Sequence, residues 1–293
     1  MSYVILDLEW NGSYSKLLHK FVNEIIEFGA VKTDDEFNII DTFSVLVTPK
    51  IGKKLSPKVK QLTKISYDEL EQNGVPFMEA VNRFTDFARN SVIVTWSTSD
   101  VHALIENYSY HTGDFHLPFL LRYCNVQEFC EACLNINDAS SQLGLSACAE
   151  MLGIDFAEDE QHRAVSDAEL SLKCLKKLSQ KRLISDFVYD AGKEEFYERM
   201  MFKTHFVTDI ESSDIDKSKM YFECSDCGRL TKKLTSWKIH NKAFTADFSC
   251  DNCSKKFFGR ISFKRKYDDV VVRKKLIEKK SKDSKSEISK AEL

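Results

Sequence analysis

The chain has 293 residues, of which 43% are hydrophobic and 30% charged, which fits one or two globular domains and excludes a fibrous or wholly disordered chain. No stretch approaches about 18 consecutive apolar residues, and the N-terminus lacks a basic segment followed by an apolar run, so neither a membrane span nor a secretory signal is expected and a cytoplasmic location follows. The net charge of -3 conceals an asymmetry: residues 221–293 hold 19 Lys+Arg against 10 Asp+Glu, a balance of +9, which leaves -12 for residues 1–220. The basic portion suits a polyanion, while the acidic portion needs cations to meet the same partner.

Residues 3–10 (YVILDLEW) read as a strand, residues 24–32 (EIIEFGAVK) as a second and residues 42–48 (TFSVLVT) as a third. Close spacing with polar turns between them predicts an antiparallel meander. Ser56-Pro57 is a helix cap and first-turn pair, and after Pro76 the residues Phe77, Ala80, Val81, Phe84, Phe87 and Ala88 recur at helical spacing. Residues 91–97 (SVIVTWS) give a fourth strand, a helix runs from Asp100 to about residue 110, and residues 120–126 give a fifth strand. Helices follow at 141–152 and 164–181, the latter amphipathic through Ala168, Leu172, Leu175 and Leu178. A meander followed by alternating strands and helices predicts an α/β fold with a mixed five-stranded sheet flanked by helices.

Two carboxylates interrupt the first strand. Successive strand residues alternate faces, so Asp7 and Glu9 share one face while Leu6, Leu8 and Trp10 take the other. Side by side they repel, and keeping both ionised near an apolar strand is costly unless a cation lies between them; oxygen ligands favour Mg²⁺ or Mn²⁺. Taken alone, the pair is better read as a strand end emerging into solvent, where acids are harmless. Asp100 follows the fourth strand at a helix start, where it can cap the helix or act as a ligand. In HRAVSDAELS, His162 precedes Asp167 by five residues, about 140° around a shared helix, so His162 is placed on the preceding loop, free to turn toward the same site.

Asp7-x-Glu9 on the first strand, Asp100 after the fourth and His162-x4-Asp167 before the last helix resemble the three motifs of the DEDDh 3′–5′ exonucleases, the DnaQ-like branch of the ribonuclease H-like fold. The likeness spans residues 1–182. NEIIEFGAVK, LTKIS followed by VPFMEAV, and Trp10 after Glu9 are similar to the Eri-type and KapD-like members. In WSTSD, Ser97 stands where many relatives carry glycine. The resemblance implies removal of nucleotides from the 3′ end of single-stranded nucleic acid, RNA slightly favoured over DNA. It also implies two Mg²⁺ or Mn²⁺ ions held by Asp7, Glu9, Asp100 and Asp167, with His162 as general base. Trp10 and Asn11 are placed against the terminal nucleotide; Phe28 and Trp96 are assigned to core packing. The alternatives are a proofreading subunit attached to a polymerase, and a silent nucleic-acid-binding or scaffold protein.

A second signal lies near the C-terminus. Cys224 and Cys227 form one CxxC pair and Cys250 and Cys253 another, with 22 residues between the pairs, and four thiolates in paired knuckles suit one structural Zn²⁺. The alternation of apolar and basic residues around them resembles a zinc ribbon, assigned to residues 221–267. Residues 183–220 are read as a connecting helix and linker, and 268–293 as a basic tail that starts as a short strand or helix and decays into a disordered end. Basic residues including Lys255, Lys256, Lys264 and Arg265, interleaved with aromatics, suit a phosphate backbone; docking of a protein partner is the competing use, and the oligomeric state is open. Cys124, Cys130, Cys133, Cys148 and Cys174 lack a matching second knuckle and are assigned to the core.

Overall fold

A computed structural model describes residues 2–136, 142–156 and 163–279. The chain divides into two compact units, Met1–Met200 and Met201–Leu293.

The first unit runs β1 (Ser2–Ser15), β2 (Lys20–Thr33), β3 (Ile39–Leu46), α1 (Pro57–Thr63), α2 (Tyr67–Asn73), α3 (Phe77–Phe87), β4 (Ser91–Thr95) and α4 (Ser99–Thr112). It continues through β5 (Arg122–Asn125), α5 (Val126–Leu134), α6 (Leu145–Met151), α7 (Ala164–Leu178), β6 (Val188–Asp190) and α8 (Glu194–Met201). The sheet order is β3-β2-β1-β4-β5-β6; β1, β2 and β3 pair antiparallel, as a meander must, whereas β1–β4 and β4–β5 are parallel and β5–β6 antiparallel. Both faces are covered. Val4, Leu6 and Leu8 turn toward α3, α4 and α8, and Tyr3 and Ile5 turn toward α5, α6 and α7, each residue in the core that its place in the alternation dictates.

Three expectations are corrected. Among the described residues the sheet has six strands, not five, because β6 adds at the edge; three residues are too few to display a two-residue period. Residues 183–220 are therefore not merely a connection: β6 completes the sheet and α8 buries Phe196, Tyr197 and Met200 in the first core, so this unit extends to Met200. The hairpin of β1 and β2 runs past Trp10 to Ser15. There the inward positions are polar: Asn11, Ser13, Ser15 and Glu24 are buried, Asn11 and Glu24 bind the loop at residues 50–56, and Ser13 and Ser15 accept from Asn11 and the Leu18 N–H. An apolar period cannot reveal such a strand. α5 is a further helix, beyond those expected from the sequence.

The second unit is a sheet of β7 (His205–Val207), β8 (Lys232–Lys233), β9 (Lys238–His240), β10 (Ala243–Cys250), β11 (Lys255–Arg265) and β12 (Val270–Glu278). One face buries Phe244, Phe248, Phe257, Ile261 and Phe263 against Phe222 and Ile215. After residue 268 β12 is the strand of the two alternatives, nine residues long: it pairs along β11 from Arg265 to Phe257, turning Val272 and Leu276 inward between lysines and arginine that blur its period. Residues 280–293 lie outside the described residues.

Candidate active site

β1 carries Asp7 and Glu9 on the face shared with Tyr3 and Ile5, where the layer made by α7 reaches its N-terminal end. Asp167 sits in the first turn of that helix. One carboxylate oxygen from each of Asp7, Glu9 and Asp167 falls within 4.8 Å of the others. Asp100 reaches the site from the first turn of α4 and is 4% exposed. The parallel ladder between β1 and β4 ends at Ile5 and Val94, and beyond it the Leu8 N–H donates to Asp100 Oδ1 at 3.1 Å, so this carboxylate closes the gap where the strands part. A cleft of about 290 Å³ is lined by all four acids, with Trp10, Trp96, Ser97 and Leu145. Ser97, which replaces the glycine common in the resembled family, uses its hydroxyl to accept the Ser99 N–H at 3.1 Å and so stabilises the start of α4.

His162 lies outside the described residues. Trp10 is half-buried in the cleft wall. Asn11 is turned away from the role expected for it: it is 3% exposed, donates to Ser13 Oγ and the Lys54 carbonyl, and accepts the Ser56 N–H. Phe28 and Trp96 are buried as expected, the indole N–H of Trp96 donating to the Leu143 carbonyl at 3.1 Å. The five cysteines of the first unit are buried.

Crowded carboxylates hold protons tightly. Burial first, then the charges of Asp100, Asp167, Glu9 and Glu27, push Asp7 well above the usual carboxylate range. Glu9 is pushed up to about 8 by burial and by Asp167, Glu27 and Asp100, against the opposing charge of Arg163. Burial pushes Asp100 up to about 7, against the hydrogen bond from Leu8. An acid whose folded pKa lies above its unfolded value binds more protons in the native state, so stability falls as pH rises between the two values. The metal-free protein should therefore lose stability between about pH 5 and 8. Glu9→Gln should gain relative to the parent as pH rises, and Mn²⁺ should raise the melting temperature more at pH 8 than at pH 6. Melting curves across that range check this; parallel pH profiles for parent and Glu9→Gln would refute it.

Three residues unforeseen in the sequence assemble this corner. Glu27 lies directly opposite Glu9 on β2 and is 1% exposed. Arg163, immediately before α7, donates from Nη2 to Glu27 Oε1 at 2.7 Å and from Nε to both carboxylate oxygens at 3.2 Å, and the Ala164 N–H reaches the same carboxylate at 3.3 Å. The fork thus clamps the start of α7 onto β2 and offsets the second glutamate. Gly29, opposite Asp7, makes this approach possible: a Cβ there would lie 2.2 Å from the Val165 nitrogen and 2.3 Å from the Ala164 carbonyl carbon. A buried acid two residues before a glycine in a strand was the available signal.

In the second unit the sulfurs of Cys224, Cys227, Cys250 and Cys253 all lie within 4.8 Å of one another. Each knuckle closes on a left-handed residue, Gly228 at φ 69° and Ser254 at φ 55°, which folds the chain back so that both sulfurs of a pair point inward. Lys255 is ion-paired with Asp226 at 2.5 Å and Glu278 at 3.1 Å, and Arg265 lies 3.5 Å from Asp214. Lys256 and Lys264 alternate with the buried Phe257 and Phe263 and so face away from the core.

The sequence pattern of the RNase_T family, described as an exonuclease, matches residues 4–175, more than half of the chain and a span holding every motif residue from Asp7 to Asp167. The chain belongs to this family. This exonuclease is 29% identical over 184 residues to a protein named probable 3′-5′ exonuclease KapD of Bacillus subtilis (strain 168), covering 61% of the present chain and 85% of that one. To the PolC-type DNA polymerase III of Thermotoga petrophila it is 27% identical over 172 residues, 58% of this chain and 11% of the polymerase. Among solved structures, the nuclease domain of 3′hExo, a DEDDh family member bound to rAMP, superposes with a TM-score of 0.53 at 21% identity, covering 61% of this chain and 92% of that domain. A 3′-exonuclease that recognises the end of the histone mRNA stem-loop gives 0.54 at 20% identity, covering 62% and 83%. At those identities the structural likeness speaks to the fold, and it agrees with the ribonuclease H-like arrangement of the exonuclease unit. Among the described residues no helix is long and apolar enough to cross a membrane.

Proposed function

We propose that the protein removes nucleotides one at a time from the 3′ end of single-stranded nucleic acid, RNA in preference to DNA, in the cytoplasm. The convergence of the Asp7, Glu9 and Asp167 carboxylates within 4.8 Å, beside the buried Asp100, carries this reading. These groups fit divalent ions: they are hard oxygen donors whose mutual repulsion only a compact positive charge relieves. Asp7, Glu9, Asp100 and Asp167 would hold two Mg²⁺ or Mn²⁺ ions. When bound, those ions supply positive charge to the phosphodiester and acidify the attacking water.

The chain's own residues do the rest. Asp100, anchored through Oδ1 by the Leu8 N–H, holds its place without help from substrate. Arg163 and Glu27 keep α7, and with it Asp167, seated on the sheet. His162 would take the water's proton on a ring nitrogen, as an imidazole can near neutral pH. Trp10, in the cleft wall, offers a flat apolar surface to the terminal nucleotide. In the second unit the four cysteines would hold one structural Zn²⁺, since four thiolates leave no open position.

Digestion of matched single-stranded RNA and DNA oligonucleotides labelled at the 5′ end tests the reading. A ladder shortening from the 3′ end in Mn²⁺, faster on RNA, is expected. Release of the labelled 5′ nucleotide first would overturn the polarity, and equal rates the substrate preference.

A further inference from the structure

We propose that the open face of the C-terminal sheet is a binding platform for single-stranded nucleic acid, built from the cations of β9, β11 and β12 around Phe258 and Phe206. The proposal rests on the exonuclease reading only for the class of polymer involved; the face is defined by register.

In an antiparallel sheet directly opposed residues share a face. Phe257, Ile261 and Phe263 mark the buried side of β11, so Lys256, Phe258, Arg260, Ser262 and Lys264 occupy the other. The pairing with β12 adds Ile277 opposite Phe258, Lys275 opposite Arg260 and Arg273 opposite Ser262. On the other flank Thr245 of β10 lies between Arg260 and Lys238 of β9. A row of Lys238, Arg260 and Lys275 therefore crosses four strands, about 14 Å at the usual strand spacing. Lys256 and Lys264 extend the positive field along β11. Asp247, opposite Phe258, is the carboxylate that these registers bring to the face, and Lys279 pairs with it at 2.6 Å.

Aromatic rings lie within this field. Phe258 is half-buried beside Ile277, which is 44% exposed. Phe206 of β7, opposite Lys264, is 37% exposed and has Lys242 and Lys264 within 5.9 and 6.0 Å of its ring centre. The Arg260 guanidinium donates to the Asn241 carbonyl at 2.9 Å, which fixes its plane against the sheet. Cations spaced around accessible rings match a polymer that alternates phosphates with unpaired bases: the phosphates meet Lys and Arg, and the bases stack. A protein partner of acidic character would satisfy the charges but leave the rings without a counterpart. Two cations expected to bind phosphate fall off this platform, since Lys255 and Arg265 stand on the opposite side of β11 with acidic partners.

The test uses the full chain carrying Asp7→Asn, so that bound strands persist, with fluorescein-labelled 20-nucleotide oligo(U) RNA and oligo(dT) followed by anisotropy at several salt concentrations. Lys256→Gln/Arg260→Gln/Lys264→Gln should weaken binding at least about tenfold and lower the slope of log affinity against log salt by about 2, at roughly 0.7 per phosphate contact on a single strand. Phe258→Ala should weaken binding about tenfold with the salt slope kept, as loss of a stacked base requires. The charge-keeping Lys256→Arg/Arg260→Lys/Lys264→Arg, and Lys274→Gln on the buried side, should stay within about twofold of the parent, separating a binding effect from misfolding. Unchanged affinity and slope in the glutamine triple variant overturn the proposal and leave the face to a protein partner. Should the wild-type chain release no nucleotides while binding still depends on these residues, the catalytic reading fails and this one stands.

Discussion

Replacing Asp7 by Asn lowers nucleotide release by about three orders of magnitude or more, while raising the melting temperature of the protein free of Mg²⁺ and Mn²⁺. The amide keeps the shape of the side chain but cannot offer an anionic ligand, so the remaining acids hold divalent ions poorly and charge developing on the phosphodiester goes unmet. The same change removes the buried group most burdened by Asp100, Asp167 and Glu9. Each kcal/mol of repulsion relieved raises the midpoint by roughly 2–4 °C for a unit of this size. Rate and stability thus move in opposite directions, a pattern that structural damage cannot produce. Release kinetics in Mn²⁺ beside melting curves without it make the check. A variant that melts earlier than the parent, or one that keeps its rate, contradicts the site.

Cys250→Ser abolishes zinc retention and unfolds the second unit while the first stays folded. Three remaining sulfurs leave the tetrahedral site incomplete, and the free energy of structural zinc binding, about 10–16 kcal/mol in small zinc domains, is folding free energy for so small a core. Phe244, Phe248, Phe257 and Phe263 pack around the knuckles, so their burial depends on the same closure. Metal content should fall from one zinc per chain to none, and limited proteolysis should remove the region after residue 200 while sparing the exonuclease unit. Retention of zinc by the variant, or resistance of the C-terminal strands to protease, contradicts this.

How much of this was legible in advance depended on which signal each residue carries. Asp7 and Glu9 were readable because a strand's two-residue period puts them on one face, and the four cysteines because two tight knuckles need two CxxC pairs. β12 was legible only as a short strand or helix, because charged residues interrupt its two-residue period, and β6 was hidden because it is three residues long. Asn11 misled for a related reason: a polar residue after a catalytic strand looks available to substrate, yet its donors and acceptor are spent on Ser13, Lys54 and Ser56. Whether a side chain is free is a property of what folds over it.

The sequence by itself determined the chemistry of this protein: which acids recur on a strand and at helix starts, which thiols come in pairs, and where positive charge accumulates. These follow from residue type and local period. Only the tertiary structure decided which acids converge, that Glu27 and Arg163 clamp the helix bearing Asp167 while Gly29 lets it approach, and which side of β11 remains open. Such relations join positions far apart in the chain, Glu27 and Arg163 by 136 residues, and only chain packing brings them within reach of one another.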